Sequence, residues 1–322
     1  MATVRRLSLV ALLVAFAQVV FGAIVRITGS GMGCGDHWPD CYGSLTPAQS
    51  SPNLLVEISH RYGAAVLTIV ILLLAAAALR HRGEPGVGGS RGVLRSALTA
   101  VALVVVAALF GAVTVKLQLN PLVVVTHLAI AMSLLAVLVY AAVRSGAFGA
   151  DRALGVSARA TRAARAAVGL TFITLIFGAL TANTPGAPLA CQGFPLCRVI
   201  ATTGEPLWIQ ITHRVLAFLV LGHLIGVAIG VRKRAEAKPV RTAAWTSLAV
   251  VVLQIFVAAG MIEMHLPAAF RSLHQAVGAL LWVCVVSLAA LASVRRDAAP
   301  VGEIVRESPS RGEFATPEGV ST

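Results

Sequence analysis

Charge is what this chain has least of. Only 12% of its 322 residues are Asp, Glu, Lys or Arg, against about 25% in an ordinary soluble domain. That shortage excludes a water-facing globular surface for most of the chain. Hydrophobic residues make up 57%, and they fall in long blocks. A bilayer core of about 30 Å needs about 20 apolar residues per helix. Eight blocks qualify, near 7–27, 54–79, 93–115, 121–143, 166–182, 207–231, 243–264 and 270–292. The fifth has an Ala- and Arg-rich N-terminal edge. A small-x-small cleavage site is missing after the first block, where Arg26, Thr28 and a Gly-rich stretch follow. The first block is therefore expected to be a retained helix and not a cleaved signal peptide. A His/Cys quartet of the kind that holds a structural metal is also lacking.

The net charge of +13 would suit nucleic acid if it were spread over a surface, but it is not. Twenty of the 26 Lys and Arg fall on one side: Arg5, Arg6, the loops at 80–95, 144–165 and 232–241, and the C-terminal tail. The other side and the helix ends hold only Arg26, Arg61, Lys116, Arg198, Arg214 and Arg271. This bias orients membrane helices with their basic loops inside. It predicts a multi-pass protein of the cell membrane with both termini in the cytoplasm. The basic charge is topogenic, and no nucleic-acid partner is expected.

Cysteines are few. Cys284 sits inside the eighth block as a small core residue. The others lie in two outer loops, Cys34 with Cys41 and Cys191 with Cys197. An oxidising outer location permits two short-loop bridges. A labile metal site using His37, between Cys34 and Cys41, is the alternative.

The chain repeats itself. Phe21-Gly22-Ala23 ends the first block, and Phe177-Gly178-Ala179 lies in the fifth. A polar outer loop follows each, closing on Pro39-Asp40-Cys41 or Pro195-Leu196-Cys197. The next helix opens Glu57-Ile58-Ser59-His60-Arg61 in one half and Gln210-Ile211-Thr212-His213-Arg214 in the other. His127 and His274 open the last block of each half. The pattern predicts an all-α integral membrane protein of eight transmembrane helices in two pseudo-symmetric four-helix bundles. The expected boundaries are 1–145, a cytoplasmic linker at 146–165, 166–295, and a disordered tail at 296–322.

His60, His127, His213 and His274 each lie one or two turns inside a helix that starts on the outer side, at matched depth. An ionisable residue within the bilayer is costly and marks function. Two imidazoles on facing helices can ligate one heme iron from both sides. A lone histidine would more often bond a neighbouring helix, but four paired in a repeat favour two heme sites. Arg61 and Arg214 are either interfacial snorkelling residues or partners for heme propionates. His223, near mid-membrane, reads as a polar helix contact. His37, His81 and His265 carry no ligand role, and Glu263 is interfacial.

The halves differ at one informative position. Glu57 lies three residues before His60, on the same helix face, and its counterpart is Gln210. A carboxyl exchanges protons, whereas an amide does not. The half with Glu57 is the candidate reaction chamber, and the half with Gln210 the candidate holder of a permanent heme. A structural pairing of Glu57 with Arg61 is the plainer reading.

The chain resembles the heme A synthase family over roughly 5–295. The resemblance rests on Gly22-Ala23 with Val25-Arg26-Ile27-Thr28-Gly29-Ser30-Gly31, on Cys34, Trp38-Pro39 and Cys41, and on Glu57, His60-Arg61, His127, His213-Arg214 and His274. The paired outer-loop cysteines resemble the Gram-positive subgroup. The resemblance implies an oxidoreductase that converts the C8 methyl of heme O to a formyl group by successive hydroxylations, making heme A for cytochrome oxidase. It implies that His60 and His127 bracket the substrate heme O iron, and that His213 and His274 ligate a heme b. Glu57 would belong to the catalytic apparatus, and Cys34–Cys41 and Cys191–Cys197 would be disulfides. An electron partner is required and unassigned. A homo-oligomer and a complex with heme O synthase, the protoheme farnesyltransferase, are both compatible with the resemblance. A di-heme electron-transfer protein and a heme transporter are the competing classes.

Overall fold

The computed structural model describes residues 1–44, 51–149 and 154–294. They contain eight long helices: α1 (Ala2–Ile27), α2 (Pro52–Arg80), α3 (Val93–Lys116), α4 (Pro121–Arg144), α5 (Ala158–Asn183), α6 (Glu205–Lys233), α7 (Lys238–Glu263) and α8 (Ala268–Ala292). Each is long and apolar enough to cross a membrane. The shortest have 24 residues, about 36 Å at about 1.5 Å per residue, which exceeds a hydrocarbon core of about 30 Å. Between α5 and α6 lies a small antiparallel hairpin of β1 (Cys191–Gln192) and β2 (Val199–Ile200), with Cys191 opposite Ile200.

Local chemistry fixes where the helices begin. Proline occupies the first turn of α2, α4, α6 and α7, where its missing N–H costs no helical bond. The Ser51, Asn120 and Ser157 side chains accept from the backbone N–H groups of Leu54, Leu122 and Ala160. The Ser157 cap explains a departure from expectation. α5 starts at Ala158 rather than near 166, because the Ala- and Arg-rich edge is capped and made of strong helix formers. The later part of the expected linker at 146–165 is therefore helix. Its residues 150–153, and the expected tail at 296–322, lie outside the described residues.

α1 packs on α2 and α4, α2 on α3, and α3 on α4; α5 packs on α6 and α8, α6 on α7, and α7 on α8. α8 also lies against α1 and α4, and α4 against α5. α8 is the central helix, with 67% of its apolar window buried in protein, against at most 33% elsewhere. Its buried face carries Gly278, Ala279, Ala289, Ala290 and Ala292, and small residues let membrane helices approach closely. The Trp282 indole donates to the Met132 carbonyl of α4 at 2.8 Å, and Thr161 of α5 donates to the Ala292 carbonyl at 2.9 Å.

Packing is uneven along the helices. The main apolar core, with Val4, Ile71, Leu74, Ala97, Leu138 and Leu288 among its members, lies toward the face where α1 begins. Beyond it comes a level at which seven of the eight helices bury nothing, α7 alone keeping Val257 buried there. α1 has no buried residue between Ala15 and Val25, α2 none between Ile58 and Leu67, α3 none between Val104 and Val115, and α4 none between Val125 and Met132. The same holds between Thr171 and Ala179 in α5, between Gln210 and Val220 in α6, and before Val277 in α8.

Candidate functional site

All four repeated histidines fall in that unpacked level, and each is half-buried. His60 is within electrostatic reach of His127, and His274 of His213. The chain thus places the histidines near one another two by two.

Helix approach makes room for the rings. A Cβ on Gly22 of α1 would sit 3.1 Å from His60 Cε1, and one on Gly178 of α5 would sit 2.8 Å from His213 Cε1. Only glycine lets the α1 and α5 backbones lie so close to the imidazoles. Phe21 stands edge-on to His60, with ring centroids 5.9 Å apart.

The ring nitrogens are held differently. His213 Nδ1 lies 3.0 Å from the Thr174 carbonyl. A carbonyl only accepts, so Nδ1 donates and Nε2 carries a bare lone pair. The Gln18 amide nitrogen lies 3.0 Å from His60 Nδ1 and donates to the His60 carbonyl at 2.8 Å. With the amide nitrogen fixed by that carbonyl, His60 Nδ1 is the acceptor and the ring proton sits on Nε2. His127 Nδ1 is buried without a hydrogen-bond partner. Gln254 places its amide nitrogen 3.1 and 3.3 Å from the two ring nitrogens of His274, and donates to the His274 carbonyl at 3.0 Å.

Beyond the histidines, two disulfide loops follow the C-terminal ends of α1 and α5. Cys34 is bonded to Cys41 and Cys191 to Cys197, so the alternative of a metal site at Cys34, His37 and Cys41 is excluded. Among the described residues, no cluster of three or more His, Cys, Asp or Glu is placed to hold a metal ion. Glu57 and Gln210 perform the same structural task. Glu57 accepts from the Cys34 N–H at 2.8 Å, and Gln210 accepts from the Cys191 N–H at 2.6 Å. Both side chains are buried.

The arginines bind the same two loops. Arg61 pairs with Glu57 and donates to the carbonyls of Asp40 at 2.8 Å and Pro39 at 3.3 Å. Arg214 donates to the carbonyls of Cys191 at 2.6 Å, Gly193 at 2.8 Å and Pro195 at 3.3 Å. Gln210 cannot neutralise Arg214, whose buried Nε has no partner. The Glu57–Arg61 pair is thus neutral, whereas Arg214 has no acid partner among the described residues. Sequence reading missed Gln18, Thr174 and Gln254. Gln18 and Thr174 stand three residues before the repeated Phe-Gly-Ala, which was the available signal.

Several of the other histidines and acids have local partners. His223 Nε2 donates to the Ala163 carbonyl at 2.9 Å, bridging α6 and α5. The His37 ring lies tilted against Tyr42 with centroids 5.1 Å apart, His81 bonds Glu84, and Glu263 pairs with Arg198.

Residues 5–286, from α1 into α8, match the COX15-CtaA family model, described as a cytochrome oxidase assembly protein. The chain is 30% identical over 257 residues to the heme A synthase of Staphylococcus haemolyticus, covering 78% of this chain and 82% of that one. The heme A synthase of Geobacillus thermodenitrificans is 26% identical over 304 residues, covering 91% and 93%. That of Lysinibacillus sphaericus is 31% identical over 210 residues, covering 62% and 65%. A match that runs through nearly the whole helical region, on a chain with this paired-histidine level, places it in the COX15-CtaA family of cytochrome oxidase assembly proteins.

Proposed function

We propose that this chain is a heme A synthase, a multi-pass membrane oxidoreductase that converts the C8 methyl of heme O to the formyl group of heme A. One observation carries the reading: two pairs of histidines occupy the level that the helices leave unpacked. A flat, largely apolar macrocycle needs such a level, with one imidazole on each side. In this reading α1–α4 and α5–α8 are two pseudo-symmetric bundles, and both termini are cytoplasmic. His60 and His127 hold the iron of the substrate heme O, and His213 and His274 hold a resident heme b. When bound, heme b supplies a one-electron relay between the chamber and an external redox partner.

The residues divide the work. Thr174 fixes the His213 tautomer, which suits a permanent ligand. Gln18 holds His60 with its proton on Nε2, so ligation there must displace that arrangement. This suits a heme that arrives and leaves. Each hydroxylation adds the oxygen of a water and releases two electrons to the external redox partner and two protons to solvent; Glu57, buried next to Arg61, takes the proton that the water loses and passes it on. The second hydroxylation gives a geminal diol, which loses water to form the aldehyde. The unneutralised Arg214 is a better propionate partner than Arg61, which is committed to Glu57.

The test is expression with a heme O source, followed by heme extraction. Heme A should appear. Heme B alone, in two equivalents, would instead make the chain a di-heme electron-transfer protein.

A further inference from the structure

The turn joining α6 to α7 carries a group of cations that the proposed chemistry does not use. Arg232, Lys238 and Arg241 line an open recess of about 450 Å³ together with Thr242, Trp245 and Thr246. The α7 members recur at spacings of three and four, so they form one stripe of that helix. Arg232 meets the stripe from the last turn of α6. Among the described residues, none of the three cations is paired with an acid. The carboxylate of the turn, Glu236, is buried and engaged elsewhere. It accepts from the Ser157 N–H at 3.1 Å, from the Ser157 hydroxyl, and from Arg234 Nε at 3.2 Å. The recess therefore keeps a positive potential.

Its position identifies what it would take. The cations sit where α6 ends and α7 begins, at headgroup level. Trp245 is 42% exposed, as an indole at the edge of the hydrocarbon should be. The same side of α7 then continues apolar and bare, through Val252, Leu253 and Phe256. A cationic recess leading into an exposed apolar stripe is complementary to an anionic head with acyl chains below it.

We propose that this recess binds the phosphodiester headgroup of an anionic phospholipid of the phosphatidylglycerol class, drawn from the leaflet on the side of the N-terminus. Arg232, Lys238 and Arg241 hold the phosphate oxygens. The Thr242 and Thr246 hydroxyls serve the glycerol, and Trp245 covers the start of the acyl chains. The site is independent of the heme reading.

The experiment uses the full chain in mild detergent, titrated with phosphatidylglycerol or phosphatidylcholine and read by native mass spectrometry. One phosphatidylglycerol should bind in preference to phosphatidylcholine. Arg241→Gln should weaken it about fivefold, the equivalent of about 1 kcal/mol per cation near a membrane surface. The triple variant R232Q/K238Q/R241Q should lose the preference. Arg162→Gln, the same charge change at an exposed position on α5, should leave it intact. Helical circular dichroism checks each variant, and the single substitution decides the matter if the triple misfolds. Equal binding of the two lipids to the unaltered chain would overturn the proposal, as would an equal loss in Arg162→Gln. If millimolar inorganic phosphate displaced the lipid and bound alone with the same variant dependence, the ligand would be free phosphate and the lipid assignment would fail.

Discussion

In α2 the side chain three residues before the histidine is a carboxylate, and in α6 it is an amide. Both hold the N–H of the first cysteine in the loop above. The two ends of the repeat therefore share a scaffold and differ in chemistry. Glu57 brings a charge that Arg61 balances, while Gln210 brings none and leaves Arg214 with a buried Nε unmatched. If the shared bond were the whole purpose of the position, an amide would serve equally well in both places. The sharpest way to break the comparison is to make the two ends alike. Glu57→Gln should keep the loop in place, because an amide oxygen accepts from Cys34 as Gln210 does from Cys191. It should still cut heme A output by about 100-fold or more, the scale of a lost proton-transfer group, with heme O or its hydroxylated form accumulating. Chromatography of extracted hemes reads this directly. Normal heme A from the variant would reduce Glu57 to a loop clasp.

The next test separates a resident site from a visiting one. His213→Ala should abolish the heme b absorbance of the purified protein, whereas His60→Ala should leave it in place. Full heme b absorbance in the His213 variant would reverse the assignment of the two halves.

Much of this was legible in the sequence, because bilayer thickness and a repeat leave strong marks. Eight apolar blocks became eight helices among the described residues. The misses have separate causes. The Glu57 and Gln210 contacts end on loop N–H groups, and the Arg61 and Arg214 contacts end on loop carbonyls. Irregular backbone has no periodicity that announces where such groups will be. Gln18 was hidden because a polar residue in a transmembrane helix has many reasons to be there. The early start of α5 was hidden because membrane hydropathy sees where a helix is apolar, not where its cap lies.

Gln18 and Thr174 offer a subtler contrast at repeat-equivalent positions. Gln18 gives a hydrogen to His60 Nδ1, whereas Thr174 takes one from His213 Nδ1. Gln18→Leu removes the donor that keeps the His60 proton on Nε2. The variant should retain heme O or heme A through purification about tenfold more than the unaltered chain, the lower end of what outer-shell partners change at a metal ligand. The heme b content should not move. A fall in retained heme O would show that Gln18 orients His60 for ligation rather than holding it back.

The smallest effect concerns how each first helix is tied to the loop two helices later. The N-terminal ammonium before α1 bonds Glu84 at 2.6 Å, and Ser157 before α5 bonds Glu236 through both its N–H and its hydroxyl. The first tie is exposed and the second is buried. Burial alone would raise the Glu236 carboxyl, but the Ser157 and Arg234 hydrogen bonds outweigh it and hold the group below the usual carboxylate range. Ser157→Ala removes the helix cap and one of those bonds together. It should cost about 1–2 kcal/mol, read as a lower thermal midpoint in detergent. Glu84→Gln at the exposed tie should change that midpoint little, since exposed pairs contribute about 0–1 kcal/mol. The pH dependence supplies the sign. A depressed carboxyl stabilises fully above its unfolded value and stops doing so as pH falls through its folded value. The Glu236 share of the Ser157→Ala loss should therefore fade on acidification while the cap share remains. A loss that is constant through the carboxylate range would assign the whole effect to the cap.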